Sequence, residues 1–136
     1  MKHEILVYNK TRKRVPEKFM KTVVLNVLDL LKLKQPVELA VLIVDKEEIK
    51  RLNKIWRKVN KASDELSFGL NSRQTAWLAK GLYSMLSLGE IIINAEKISD
   101  KKYLSKILVH SLLHLLGYSH RRMGSLEKEI FKHLNI

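Results

Sequence analysis

Three histidines stand close together near the C-terminal end of the chain, in the run His110-Ser-Leu-Leu-His114-Leu-Leu-Gly-Tyr-Ser-His120. Imidazole is the commonest protein ligand for metals, because its neutral ring offers a lone pair near physiological pH. His110 and His114 are spaced so that, on a helix, both rings project from one face a turn apart. Gly117 follows at once. Glycine reaches the left-handed conformation with which helices often end, so the chain can turn there and bring His120 back toward the first two rings. Three converging imidazoles with a fourth position open are the layout of a catalytic zinc site. The expected ligands are therefore His110, His114 and His120. The expected ion is zinc, with nickel or another divalent metal as the alternative, since imidazole suits several. His3 and His133 lie outside the pattern and read as surface residues.

The elements that must position these residues can be traced along the chain. His3 to Tyr8 reads as a strand. Pro16 and Glu17 open a helix, whose apolar stripe is Met20, Val23, Val24, Val27, Leu28 and Leu31. Val37 to Val44 is a short, nearly continuous apolar run and reads as a buried central strand. Asp45 caps the next helix, with Glu48 completing a capping box. Ile49, Leu52, Trp56 and Val59 fall on one side of that helix; Lys50, Lys54, Arg57, Lys58 and Lys61 fall on another. Leu66 to Leu70 and Gly89 to Asn94 read as strands, with Ser72 to Leu88 a partly helical insertion between them. A long helix runs from Ser99 to Leu116 and is apolar almost all round, which predicts burial. Two histidines buried there would pay a desolvation cost that a metal removes. A last amphipathic helix begins at about Ser125, with Ile130, Phe131 and Leu134 facing inward. The expected fold is α+β: one domain over residues 1–136, a small mixed sheet of about four strands packed by about five helices, with the metal-bearing helix central.

Composition narrows the function. The chain has 136 residues, 46% of them hydrophobic, which is enough for a real core and excludes a disordered chain. It has no cysteine, so disulfides and thiolate zinc sites are both excluded, in keeping with a reducing cytosol. No apolar run reaches the ~18 residues of a membrane span, and the N-terminus lacks the layout of a signal peptide. The expected location is the cytoplasm, with no membrane partner. The net charge is +12, from 26 Lys and Arg against 14 Asp and Glu. That balance favours a polyanionic partner, nucleic acid first and an anionic membrane surface second.

The spacing His-x3-His-x5-His is that of the metzincin peptidases, with one difference. Those enzymes place Glu after the first histidine as the base that activates water. Here the position is Ser111, which cannot do that work at neutral pH.

The same run closely resembles the signature of the YbeY family of bacterial rRNA-maturation endoribonucleases. Two further segments agree with it. Leu52-Asn53-Lys-Ile-Trp-Arg57 followed by Ser63-Asp64-Glu65-Leu66-Ser67-Phe68 is similar to the family's Leu-Asn-x-x-x-Arg helix and Thr-Asp-x-Leu-Ser-Phe strand. Leu88-Gly89-Glu90-Ile91-Ile92-Ile93 resembles its Leu-Gly-Asp-Ile strand. The chain departs from the pattern at Ser119, where Asp is usual before the last ligand; at Glu65, where an apolar residue is usual; and at Gly69, where proline is common.

The resemblance implies a single-strand-specific endoribonuclease that matures ribosomal RNA, including the 3′ end of 16S rRNA, and serves ribosome quality control. Its implied partners are single-stranded RNA, rRNA and the small ribosomal subunit, with no DNA specificity. Zinc lowers the pKa of bound water to about 7 and polarises a phosphoryl oxygen. Arg57, matched to the family's helix motif, is the expected catalytic cation for charge developing on phosphate, with His110 beside it. Water and an RNA 2′-hydroxyl both remain open as nucleophile. Lys50, Lys54, Lys58 and Lys61 are candidates for tracking the RNA backbone with Arg57. Glu90 is a further candidate beside the metal. Two other functions compete: a non-catalytic ribosome-assembly factor with a structural zinc, and a metzincin-like metallopeptidase, which Ser111 argues against.

Overall fold

Alternation along the strands builds two cores of unequal size. In β2 (Val37–Val44) the side chains of Val37, Leu39, Val41 and Ile43 are fully buried on one face, while Leu42 and Val44 pack on the other. A strand covered on both sides needs apolar residues at every position, which is why β2 reads as a continuous run. It is one of the two inner strands, as a buried run predicts. β1 (Glu4–Asn9) and β4 (Leu86–Asn94) flank it in parallel, and β3 (Glu65–Gly69) pairs antiparallel with β4 at the edge, giving the order β1-β2-β4-β3. The computed structural model describes residues 2–33, 35–69 and 85–136.

The larger core lies under α1 (Glu17–Leu30), α3 (Lys101–Leu115) and α4 (His120–Leu134). Helix α3 packs against α1, α4, β3 and β4 and so takes the central place expected of it. The smaller core lies on the opposite face under α2 (Lys46–Arg57) and is built from Val44, Ile49, Leu66 and Ile92. Asp45 caps α2 by accepting the Glu48 N–H, but the Glu48 carboxylate turns to Arg51 rather than completing the box. The mixed α+β class is as read from the sequence. Among the described residues there are four α-helices and a 3-10 turn at Ala95–Lys97.

Several boundaries and environments differ from the reading. β4 begins at Leu86, so the end of the expected insertion is strand; the rest of that insertion, and Leu70, lie outside the described residues. The earlier start puts Glu90 in mid-strand, where it is exposed. Helix α4 starts at His120 rather than near Ser125. His3 is not a plain surface residue: its Nδ1 accepts the Val37 N–H at 2.9 Å, and burial holds its pKa below the ordinary value.

Gly89 explains one family segment. The register of β2 and β4 slips beside it, and its φ is +115°. A Cβ there would lie 2.1 Å from the Phe68 carbonyl oxygen, so only glycine lets β3 pair closely at this bulge. Among the described residues no helix is long and apolar enough to cross a membrane.

Candidate metal centre and the cleft beside it

Helix α3 opens on Asp100, whose carboxylate accepts the Tyr103 N–H at 3.2 Å. Leu104, Leu108, Val109, Leu112 and Leu113 then bury its sides completely. The helix is not buried all round, however. Lys102, Lys106, His110 and His114 form a strip of exposed residues along it, each a turn from the last. The His110 side chain is half exposed. The desolvation argument for a metal therefore fails, because both rings already stand in solvent. What the helix supplies is a rigid mount.

The turn that follows is built as its glycine predicts. Gly117 has a φ of +86°; its N–H reaches the His114 carbonyl, and the Tyr118 N–H reaches that of Leu113. This pair of bonds is the Schellman arrangement that satisfies the last carbonyls of a helix. A Cβ at Gly117 would meet nothing, so the backbone conformation rather than space selects glycine. Ser119 then caps α4 by accepting the Arg122 N–H. Serine is a good N-cap, so the departure from the family's Asp at this position leaves α4 capped. His120 is the first residue of α4, and its ring centroid lies 6.1 Å from that of His114.

His110 is held differently. Its Nδ1 lies 2.6 Å from Oε1 of Glu127, which projects from α4 and is largely buried. With one ring nitrogen engaged by a carboxylate, Nε2 is the nitrogen left for a metal. That is the arrangement of histidine ligands whose orientation a carboxylate sets. The structure thus brings the His114 and His120 rings near each other, while His110 is turned toward Glu127. The donor types and their partners fit zinc or nickel. Among the described residues, no group of three or more His, Cys, Asp or Glu side chains stands placed to hold a metal ion, so the three histidines are not brought together as the spacing predicts.

A cleft of about 460 Å³ runs beside His110, between β3, α3 and α4. Its walls include Arg57, Asp64, Glu65, Lys106, His110 and Glu127. Arg57 is thus brought to His110 from a separate layer of the molecule. Lys50, Lys54, Lys58 and Lys61 do not line this cleft; Lys106 does. Arg57 ends α2, where Lys58 turns left-handed and buried Asn53 donates its amide to the Lys61 carbonyl at 2.7 Å. That brace returns the chain to β3. Asp64 anchors the same corner, accepting from the Tyr103 hydroxyl and lying 3.8 Å from the Lys97 ammonium. The bond to Asp64 raises the Tyr103 pKa, because ionised phenolate could not donate it.

Glu65 and Ser111, both set apart in the sequence, meet. The fully buried Ser111 hydroxyl donates to Glu65 Oε2 at 2.8 Å. A carboxylate from the adjacent strand therefore stands against the helix position where metzincins carry their own.

A family model, endoribonuclease YbeY, matches residues 6–135. The chain belongs to the YbeY endoribonuclease family. Among similar YbeY proteins, one from Syntrophomonas wolfei is 33% identical, with 93% of this chain and 94% of the relative covered. One from Thermoanaerobacter sp. is 31% identical, with 88% of each covered. The solution structure of a Thermotoga maritima protein shares the fold, with a TM-score of 0.58 at 20% identity over 96% of this chain and 91% of that one.

Of the groups that line the cleft, the sequence pointed to Arg57 and His110 but not to Glu127 and Lys106; it also pointed to the Gly117 turn. Glu127 had a signal: it falls among Met123, Leu126, Ile130 and Phe131, so a carboxylate occupies the inward stripe of an amphipathic helix.

Proposed function

We propose that this YbeY protein is a metal-dependent, single-strand-specific endoribonuclease. It matures the 3′ end of 16S rRNA and acts in ribosome quality control, on RNA of the small ribosomal subunit in the cytoplasm. The observation that carries this reading is that Arg57 and His110, remote in sequence, line one cleft.

His110, His114 and His120 would hold one zinc ion, or nickel in its place. When bound, such an ion supplies a polarised phosphoryl oxygen and an activated water. Glu127 fixes His110 through Nδ1. Arg57 binds the scissile phosphate with its planar fork of donors and stabilises the charge that develops there. Lys106, on the same wall, adds positive charge for the RNA backbone. Glu65, held by Ser111, keeps a carboxylate on the cleft wall as a proton acceptor for the nucleophile, water or the RNA 2′-hydroxyl. The net charge of +12 draws the polyanion in.

The test is cleavage of a single-stranded rRNA fragment by metal-loaded protein, metal-stripped protein and a His114→Ala variant. Cleavage by the metal-loaded wild type alone is expected. Equal cleavage by all three overturns metal dependence. Absent cleavage with tight RNA binding returns the protein to a non-catalytic assembly role.

A further inference from the structure

The second side of α2 carries a feature that cleavage chemistry does not use. Trp56 precedes Arg57 and remains 66% exposed, beside Ile55 at 46% and Val59 at 44%. The apolar side of α2 thus turns inward only at Ile49 and Leu52, and its last turn holds apolar side chains in water. Single exposed apolar residues are ordinary, but an exposed indole in such a group marks a binding surface. The indole is also held in place. It meets the Phe68 ring edge to face, with centroids 5.9 Å apart and planes at 64°. Below it, Asn53 braces the end of the helix. Lys54, Arg57 and Lys58, all exposed, surround it with positive charge.

We infer that Trp56 is a stacking platform for an unpaired nucleobase of RNA whose neighbouring phosphate lies against Arg57. The inference rests on the RNA reading above. Trp56 and Arg57 are consecutive at the last turn of α2 and project about 100° apart, so a short stretch of RNA spans both, its base on the indole and its phosphate toward the cleft. Every base has a face that an indole can cover, and only an unpaired base can offer it. Charge complementarity selects this occupant, because a purely apolar partner would leave the three cations without counter-charge. Preference for single strands then comes from Trp56, and phosphate binding from Arg57.

The chain has two tryptophans, so Trp77→Phe makes Trp56 the sole indole emitter. That full-length protein is titrated with 2′-O-methyl oligoadenylate, with an abasic backbone of equal length and with a duplex. Quenching by the single strand alone is expected, and affinity read from the anisotropy of a labelled oligoadenylate, which needs no indole, is weakened about tenfold or more by Trp56→Ala and largely retained by Trp56→Phe. Equal quenching by the abasic backbone, or undiminished binding by Trp56→Ala, overturns the platform and leaves the nuclease reading standing. A change in sedimentation with unchanged RNA binding overturns it in favour of a second copy of the chain. Failure of the wild type to bind any single strand overturns the RNA reading with it.

Discussion

Helix α3 presents His110 and His114 from a rod whose other sides are packed against two helices and the sheet. Helix α2 presents Arg57 from a surface helix that buries little beyond Ile49 and Asn53. Both reach the same cleft from opposite layers, around the edge strand β3. On the proposed function, the larger core carries the groups that would share one ion, where small displacements matter, and the smaller core carries a cation and a ring that would follow a flexible polyanion. Rigidity and reach are thus assigned to different faces of one sheet.

The comparison breaks most readily in the cores. Leu112→Ala, at a fully buried site two residues before His114, is expected to cost about 2–5 kcal/mol, toward the upper end. Ile49→Ala, in the smaller cluster, is expected toward the lower end, because thinner packing collapses more easily into the space. Urea denaturation of both measures this, and equal losses would erase the distinction between the faces.

Arg57→Ala is expected to reduce RNA cleavage about 100-fold or more while leaving the melting temperature unchanged. A parallel loss of stability would mean that Arg57 supports α2 rather than the reaction. Glu127→Gln sharpens the other side. It keeps the shape but loses the charge that orients His110, and zinc affinity is expected to fall about 10–100-fold by competition titration. Unchanged affinity would make the contact an ordinary surface pair.

The smallest effect lies at the rim of the sheet. His3 accepts the Val37 N–H, and burial lowers its pKa, with Asp29 pulling weakly the other way. On acidification the unfolded chain takes up this proton first, near its ordinary pKa of 6.5. Stability is therefore full above that value and declines as pH falls from it through the lowered native value. His3→Gln should flatten this part of the stability–pH curve; an unchanged slope would assign it to other groups.

What was legible in the chain were features decided locally. The β2 run, the Asp45 cap and the Gly117 turn each follow from a few neighbouring residues, and the structure has them in place. The exposure of the histidines was also written there, in the four-residue spacing of Lys102, Lys106, His110 and His114, but the surrounding leucines masked it. The start of α4 was hidden because its first turn is polar and its cap, Ser119, is a short side chain with many uses. The Glu65–Ser111 and His110–Glu127 bonds depend on how separate elements pack, which periodicity within one element cannot reveal. The family motifs joined Arg57 to the histidines without saying what geometry joined them.

Helix α4 carries both His120, one expected ligand, and Glu127, the partner of another. A chain is made from its N-terminus onward, so the sheet, Arg57 and the α3 histidines all emerge before α4 does. Until α4 has left the exit tunnel and docked, His110 lacks the Glu127 carboxylate and the proposed ligand set lacks His120. On the proposed function, the cutting site is completed last, by the helix that closes the chain's element order.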